Sequence, residues 1–364
     1  MLPAVYLKDY DCISPFGRVG DTWRSLCADG RALALYPVPE RDDDSVPLAL
    51  INPIEETEEG RWLKPSLDLL SGVSGNPWGD ERHPVIVTSS NFGIGQLFAH
   101  TNVDPEMPLS SASPARAVER IAEACCWGKN RFIISNVCIS AQLGMIHAAR
   151  LLHADLADEV LVFSFDFLSP FVVGGFHSLR ILNDAFPRPF SKGEISSIGL
   201  GDGAAYAVLD RSNQSELRLS PGVTWYESHH MTGNDPSGSG FKQIMESIGE
   251  VVQGKQVWLK GHGTGTVEAG SLEADAASRA FPDAPLVSWK GSLGHTLGSC
   301  GLIELAIAAK AMTEGVVPGN SQTGPETLNT AVAREAFSAR DFDGVILTSS
   351  AFGGAHASHF LSRA

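Results

Sequence analysis

The stretch Val257-Trp258-Leu259-Lys260-Gly261-His262-Gly263-Thr264-Gly265-Thr266 decides how the rest of the chain is read. Its first four residues, from Val257 to Lys260, predict a short strand, and the glycines behind them predict a sharp turn. Glycine on both sides of a histidine lets the backbone bend and lets another group come close to the ring. By spacing alone the plainer reading, a loop with one hydrogen-bonded histidine, is the commoner one.

Working outward, the same arrangement recurs. Strand Leu286 to Trp289 runs into Lys290-Gly291-Ser292-Leu293-Gly294-His295-Thr296-Leu297-Gly298-Ser299-Cys300-Gly301, and a long apolar helix is expected over 299–312. Upstream, the apolar run Phe132 to Val137 leads to Cys138, and a helix is expected from about Ser140 to His153. A thiol at a helix N-terminus faces the positive end of the backbone dipole, which favours the nucleophilic thiolate. Alone this is a weak sign, since free cysteines are mostly small core residues. Near the C-terminus, Ser350-Ala351-Phe352-Gly353-Gly354-Ala355-His356 reads as a tight turn between two strands, able to offer backbone N–H groups to an oxyanion.

Between these points strands and helices alternate. Strands are expected at Ala4 to Leu7, Pro84 to Thr88, Glu159 to Phe165, Val345 to Ser349 and His356 to Leu361, with a strand pair around 199–209. Helices are expected around 61–70, 114–126, 239–252 and 272–280, and another after a turn at Gly174-Gly175. The second half replays the first, which implies an α/β fold with largely parallel, buried sheets.

The 364 residues are 43% hydrophobic and 19% charged, an ordinary globular balance, with a net charge of −15. So acidic a surface repels nucleic acid and anionic lipid, and no concentrated basic patch offsets it. No apolar run reaches the 18 residues of a membrane span, and Lys8, Asp9 and Asp11 fall where a signal peptide needs its apolar core, so a cytoplasmic protein is the expectation. Six scattered cysteines without a C-x-x-C pair argue against a disulfide framework or a zinc site.

The order of these motifs, one cysteine at a strand-to-helix junction and then two glycine-framed histidines and a Gly-Gly turn, resembles the β-ketoacyl synthases, the condensing enzymes of fatty acid and polyketide assembly. His262 to Thr266 is similar to the family's H-G-T-G-T motif. Lys290 to His295 is similar to K-S-x-x-G-H with Gly291 in place of Ser, and Phe352-Gly353-Gly354 to G-F-G-G with Ala351 for the first Gly. The likeness runs from about residue 4 to 361. It implies a thiolase-like five-layered αβαβα fold of two pseudo-duplicated halves with mixed, mostly parallel sheets. Residues 1–212 would carry the nucleophile and 213–364 the two histidines.

The resemblance also implies roles. Cys138 would take an acyl group from an acyl carrier protein. His262 and His295 would stabilise the enolate left when a malonyl thioester loses carbon dioxide, and the backbone N–H groups of Cys138 and Phe352 would hold the oxyanion. Lys290 is read as an orienting charge paired with Glu273, with Thr264 and Thr266 in support. Phe176 and Phe352 would line or gate the acyl pocket. No metal or organic cofactor is needed. A two-fold dimer is expected, either of one chain or with a second ketosynthase-fold subunit. Arg180 matches a family position near the carrier-binding surface, and Arg61, Lys64, Lys129 and Arg131 are further docking candidates without a motif. Carrier proteins are themselves acidic, so docking needs a local patch within the roughly 10 Å reach of charge at 0.1 M salt.

Four departures stand beside the likeness. Val137-Cys138-Ile139-Ser140 lacks small flanking residues, the acidic position after H-G-T-G-T falls on Gly270, the loop Ser191 to Ser197 lacks its D-x-x-R-D-G-F character, and the chain is trimmed between about 72 and 130 and at 182–187. They keep open a chain-length-factor-like partner subunit that does not condense. A cysteine hydrolase is a third reading: it needs water delivered to the thioester and usually an acid orienting the histidine, whereas two glycine-framed histidines suit enolate stabilisation.

Overall fold

The computed structural model describes residues 4–364 apart from 40, 55–58, 74–76, 96–105, 107–108 and 213. Most of the stretch expected to be trimmed, between 72 and 130, is therefore described, but residues 74–76, 96–105 and 107–108 lie outside it.

Two strand sets repeat one pattern. In the first, β3 (Arg131–Ile134), β2 (Val85–Thr88) and β4 (Glu159–Asp166) run parallel, and β5 (Gly203–Asp210) and then β1 (Val5–Ser14) add on antiparallel. In the second, β9 (Leu286–Val287), β8 (Val257–Lys260) and β10 (Gly344–Ala351) are parallel, and β11 (Ala355–Arg363) and β7 (Val223–Tyr226) follow antiparallel. The short strand β6 (Leu217–Leu219) pairs with both β1 and β11, so among the described residues the two sets join, with the two-residue strand Gly17–Arg18 beside β1, in one twelve-stranded sheet that folds over itself. The parallel strands β2, β8 and β10 are buried residue for residue, as strands covered on both faces must be.

Helices α4 (Ser140–His153) and α9 (Cys300–Glu314) lie between the sets: α4 packs on β4, β2 and β11, and α9 on β5, β1 and β10. Almost every residue of α9 from Cys300 to Met312 is buried, and Gly315 ends the helix in the left-handed region at φ 85°. Outside the first set lie α2 (Lys64–Leu70) and α3 (Pro114–Ala124), and outside the second α6 (Ser239–Val251) and α7 (Val267–Ala280). Five layers result, with one apolar core around the central helices and one under each outer layer.

Several elements differ from the sequence expectation. β1 extends to Ser14 because Lys8, Asp9 and Asp11 lie on its less buried face, where charge is tolerated. Gly174 and Gly175 form no turn. They sit inside α5 (Pro170–Ser178), whose start is set by the Ser169 side chain accepting from the Val172 N–H and by Pro170 in the first turn. Helix α7 starts five residues before the expected position, and a hairpin of Ala34–Val38 and Arg41–Ala49 was not expected at all. Among the described residues no helix is long and apolar enough to cross a membrane.

Candidate active site

Cys138 lies in the turn between β3 and α4. The turn is tight: Val137 is held at φ 45°, a region that disfavours β-branched residues. Ser140 stabilises it, its hydroxyl donating to the Val137 carbonyl at 2.7 Å and accepting from the Asn136 N–H at 2.8 Å. The lack of small residues around Cys138 is thus met by a side chain that ties the turn.

His295 is brought to the thiol from the other half of the chain. Its N–H donates to the Gly199 carbonyl at 2.7 Å and its carbonyl accepts from Gly201 N–H at 3.0 Å. Gly294 makes this approach feasible, since at φ 73° a Cβ there would stand 2.6 Å from the Leu200 backbone. His295 Nε2 then sits 3.1 Å from Cys138 Sγ, and the His262 ring meets the His295 ring edge to face with centroids 5.1 Å apart.

The His262 turn hangs from Glu273. That carboxylate accepts the N–H groups of His262 at 2.5 Å and Gly263 at 2.9 Å. Gly263, at φ 37°, has Ser288 and Phe190 so close that a Cβ would clash with both. The glycines framing His262 therefore admit buried neighbours of the backbone.

The expected pairing of Lys290 with Glu273 does not form. Lys290 Nζ donates to Glu304 Oε1 at 2.5 Å, and Lys260 Nζ donates to the other oxygen of the same carboxylate. Glu273 faces the backbone N–H groups instead, because α7 starts early enough to aim it at the turn. Neither Glu304 nor Lys260 was singled out from the sequence. The available signal was a carboxylate inside the apolar run Cys300 to Ala309 and a lysine closing an apolar strand.

Burial dominates the ionisation of the site. It pushes both imidazoles well below the ordinary histidine range, helped by the positive charges of Lys290 and Lys260, so both rings are neutral. It holds the Cys138 thiol well above the ordinary range, with Cys300 adding to the effect and Lys290 opposing it. The expectation of a thiolate favoured by the helix terminus is thus outweighed by desolvation. Lys260 is brought down to about 8 by burial against the pull of Glu304. For Lys290 the attraction of Glu304 overrides burial, and it stays a firm cation.

Cys138, His262 and His295 open onto one cleft of about 280 Å³, lined also by Thr264, Thr266, Glu273, Phe176, Phe352, Ile181 and Phe241, whereas Lys260 and Lys290 are buried and do not line it. Phe176 and Phe352 stack with centroids 6.2 Å apart, although they lie in different halves of the chain. The cleft also has a polar wall not read from sequence: Ser350, hydrogen-bonded to His356 Nδ1 at 2.9 Å, and Glu268, two residues before Gly270. Among the described residues no cluster of three or more His, Cys, Asp or Glu is placed to hold a metal ion.

The basic candidates separate. Arg180 is exposed beyond the end of α5, next to the cleft residue Ile181, and Lys64 and Lys129 are exposed as well. Arg61 cannot serve as a surface docking group: it is buried, its guanidinium 2.5 Å from Asp202 and 3.0 Å from the Leu168 carbonyl.

Comparison with known proteins agrees with the motif resemblance. Residues 221–323 match the family described as the β-ketoacyl synthase C-terminal domain. The chain is 26% identical over 317 residues to 3-oxoacyl-[acyl-carrier-protein] synthase 2 of Coxiella burnetii, covering 80% of this chain and 74% of that one. It is 27% identical to the tetracenomycin polyketide synthase ketoacyl synthase alpha subunit of Streptomyces glaucescens, covering 64% of this chain and 59% of that one. Among solved structures, the fold matches the complex of a type II polyketide acyl-carrier protein with its hexaketide-bound ketosynthase, AntDE:AntF, at a TM-score of 0.87 and 16% identity, covering 100% of both chains. It matches the ketosynthase ApeO in complex with its chain length factor ApeC from Xenorhabdus doucetiae at 0.79 and 20%, covering 99% and 98%.

Proposed function

We propose that this chain is a β-ketoacyl synthase-type condensing enzyme working in the cytoplasm, with acyl carrier protein as its substrate-bearing partner. The observation that carries the reading is the meeting of three groups at one cleft: the Cys138 thiol 3.1 Å from His295 Nε2, with the neutral ring of His262 against that of His295.

The chemistry follows from the ionisation states. As Cys138 Sγ bonds to the acyl carbonyl carbon, its proton passes to His295 Nε2, and then to the carrier thiolate as the old thioester breaks. In the second half-reaction the bond between the malonyl carboxyl and its α-carbon breaks and carbon dioxide leaves. The electron pair becomes an enolate, and N–H donors of the neutral His262 and His295 stabilise its oxygen. The enolate carbon attacks the Cys138 thioester, the tetrahedral oxyanion lies against the N–H groups of Cys138 and Phe352, and as it collapses Cys138 leaves as thiolate and takes up a proton from solvent. Lys290 supports this as a fixed charge, Thr264 and Thr266 line the entrance, and Phe176 with Phe352 gates the acyl pocket. Arg180 is the docking cation for the carrier.

A dimer, with a second copy or another ketosynthase-fold subunit, is part of the proposal. Strand β3 lies at one end of the sheet among the described residues, and Ile133 on it is 42% exposed, an edge suited to pairing.

One observation favours a second reading. The fold also matches a ketosynthase in complex with its chain length factor, which suits a chain-length-factor-like subunit that shapes a partner's pocket without condensing. Incubation with acyl- and malonyl-carrier protein separates the two. A β-ketoacyl product formed by this chain alone supports the enzyme; product only with a second subunit, and no acyl group on this chain, supports the partner.

A further inference from the structure

The base of the site holds four buried ionisable side chains. Lys260 ends β8 with its side chain fully buried, and its Nζ shares Glu304 with Lys290. Glu273 is the second acid, engaged with the backbone of the His262 turn. In their ordinary states two ammonium groups balance two carboxylates. Without Lys260, the remaining set, Lys290 against Glu304 and Glu273, would be net negative beneath the histidines.

We propose that Lys260 is an electrostatic positioning residue, whose ammonium keeps the buried base of the site from becoming net negative where an anion must form. The idea builds on the condensing-enzyme reading, and two features of the structure support it. Glu304 is already paired with Lys290, and a second lysine on one buried carboxylate is a costly arrangement that stability alone does not call for. The backbone of Lys260 also leads directly through Gly261 into His262, so the charge sits at the root of the catalytic turn. The groups facing it are Glu304 and Cys300 on α9, Lys290 on α8 (Lys290–Leu293), Glu273 on α7, and the rings of His262 and His295.

The role differs between half-reactions. Acylation of Cys138 passes through an oxyanion held by backbone N–H groups, whereas decarboxylation forms an enolate whose oxygen lies against the two histidines that Lys260 influences. Removing a unit charge several ångströms from a forming anion in a poorly solvated site slows that step about tenfold or more.

The test is Lys260→Met, which leaves the Lys290–Glu304 pair whole. Expected is decarboxylation of malonyl-carrier protein slowed about tenfold at neutral pH, with Cys138 acylation, in which His295 takes up the thiol proton, not slowed. The wild-type rate should fall as pH rises through about 8, where Lys260 loses its proton, and meet the flat profile of the variant above that. Equal slowing of both half-reactions, or an unchanged rate and pH profile, would overturn the proposal. Should the wild-type chain not decarboxylate at all, the condensing reading fails, but the electrostatic claim is still read from the imidazole resonances of His262 and His295. They must titrate at higher pH in Lys260→Met, and an unchanged titration overturns it.

Discussion

The rings of Phe176 and Phe352 stack 6.2 Å apart across the cleft that holds Cys138, one carried by helix α5 and the other by the turn between β10 and β11. An aromatic stack of this kind is worth roughly 1 kcal/mol beyond the area it buries. That is small enough to open during turnover and large enough to set what enters. Phe176→Ala removes one leaf. It is expected to speed acylation of Cys138 by long-chain thioesters several-fold while leaving acetyl transfer within twofold, as followed by adduct mass against time.

Glu273 acts on the backbone that carries His262. Glu273→Gln keeps the shape but turns a charged acceptor of two N–H groups into a neutral amide with one acceptor oxygen. Loss of a charge-assisted buried hydrogen bond costs about 2 kcal/mol, to be read from the shift of a urea unfolding curve. Decarboxylation should fall about tenfold and Cys138 acylation much less, since His295 is held by Gly199 and Gly201 instead.

His359 gives a stability dependence on pH. It is fully buried on β11 and burial holds it down to about 3, whereas in the unfolded chain it titrates near 6.5. A group whose folded value is depressed contributes stability above its unfolded value and loses it as pH falls toward the folded one. Between pH 6.5 and 3 the wild type should therefore lose up to about 1.4 kcal/mol per pH unit relative to His359→Leu. Urea unfolding of both proteins across that range checks this, and a constant difference would contradict it.

The edge of β3 predicts association. Ile133→Asp puts a charge on the strand at one end of the sheet among the described residues, where Ile133 is 42% exposed. Sedimentation should show the wild type as a dimer and the variant shifted to monomer at micromolar concentration, with the fold unchanged by circular dichroism.

Much of the candidate site was legible in the sequence because the residues proposed to carry the chemistry sit at junctions that glycine marks. His262 and His295 each follow a strand and stand between or beside glycines, and the structure shows why: Gly263 and Gly294 occupy positive φ with no room for a Cβ. Cys138 was singled out by its place after an apolar run and before a helix whose bounds were read as they stand, although the strand ends at Ile134 and not at Val137 as expected. What escaped the reading is tertiary. The choice of Glu304 over Glu273 as the partner of Lys290 depends on which helix faces which strand, and periodicity within a helix does not report that. The helical run through Gly174 and Gly175 depends on the cap at Ser169 and on packing, which override the weak helix propensity of glycine. The protonated state of Cys138 depends on burial, and a helix terminus read from sequence gives only the opposing influence.

The most direct test of the central claim is intact-mass spectrometry of the purified chain after incubation with an acyl-carrier protein, beside Cys138→Ala and His295→Ala. The account predicts one acyl adduct on the wild type, none on Cys138→Ala, and at least a tenfold slower adduct on His295→Ala, where the thiol proton has lost its acceptor 3.1 Å away. No adduct on the wild-type chain, with or without a second ketosynthase-fold subunit, would contradict it and leave Cys138 a buried thiol without a catalytic role.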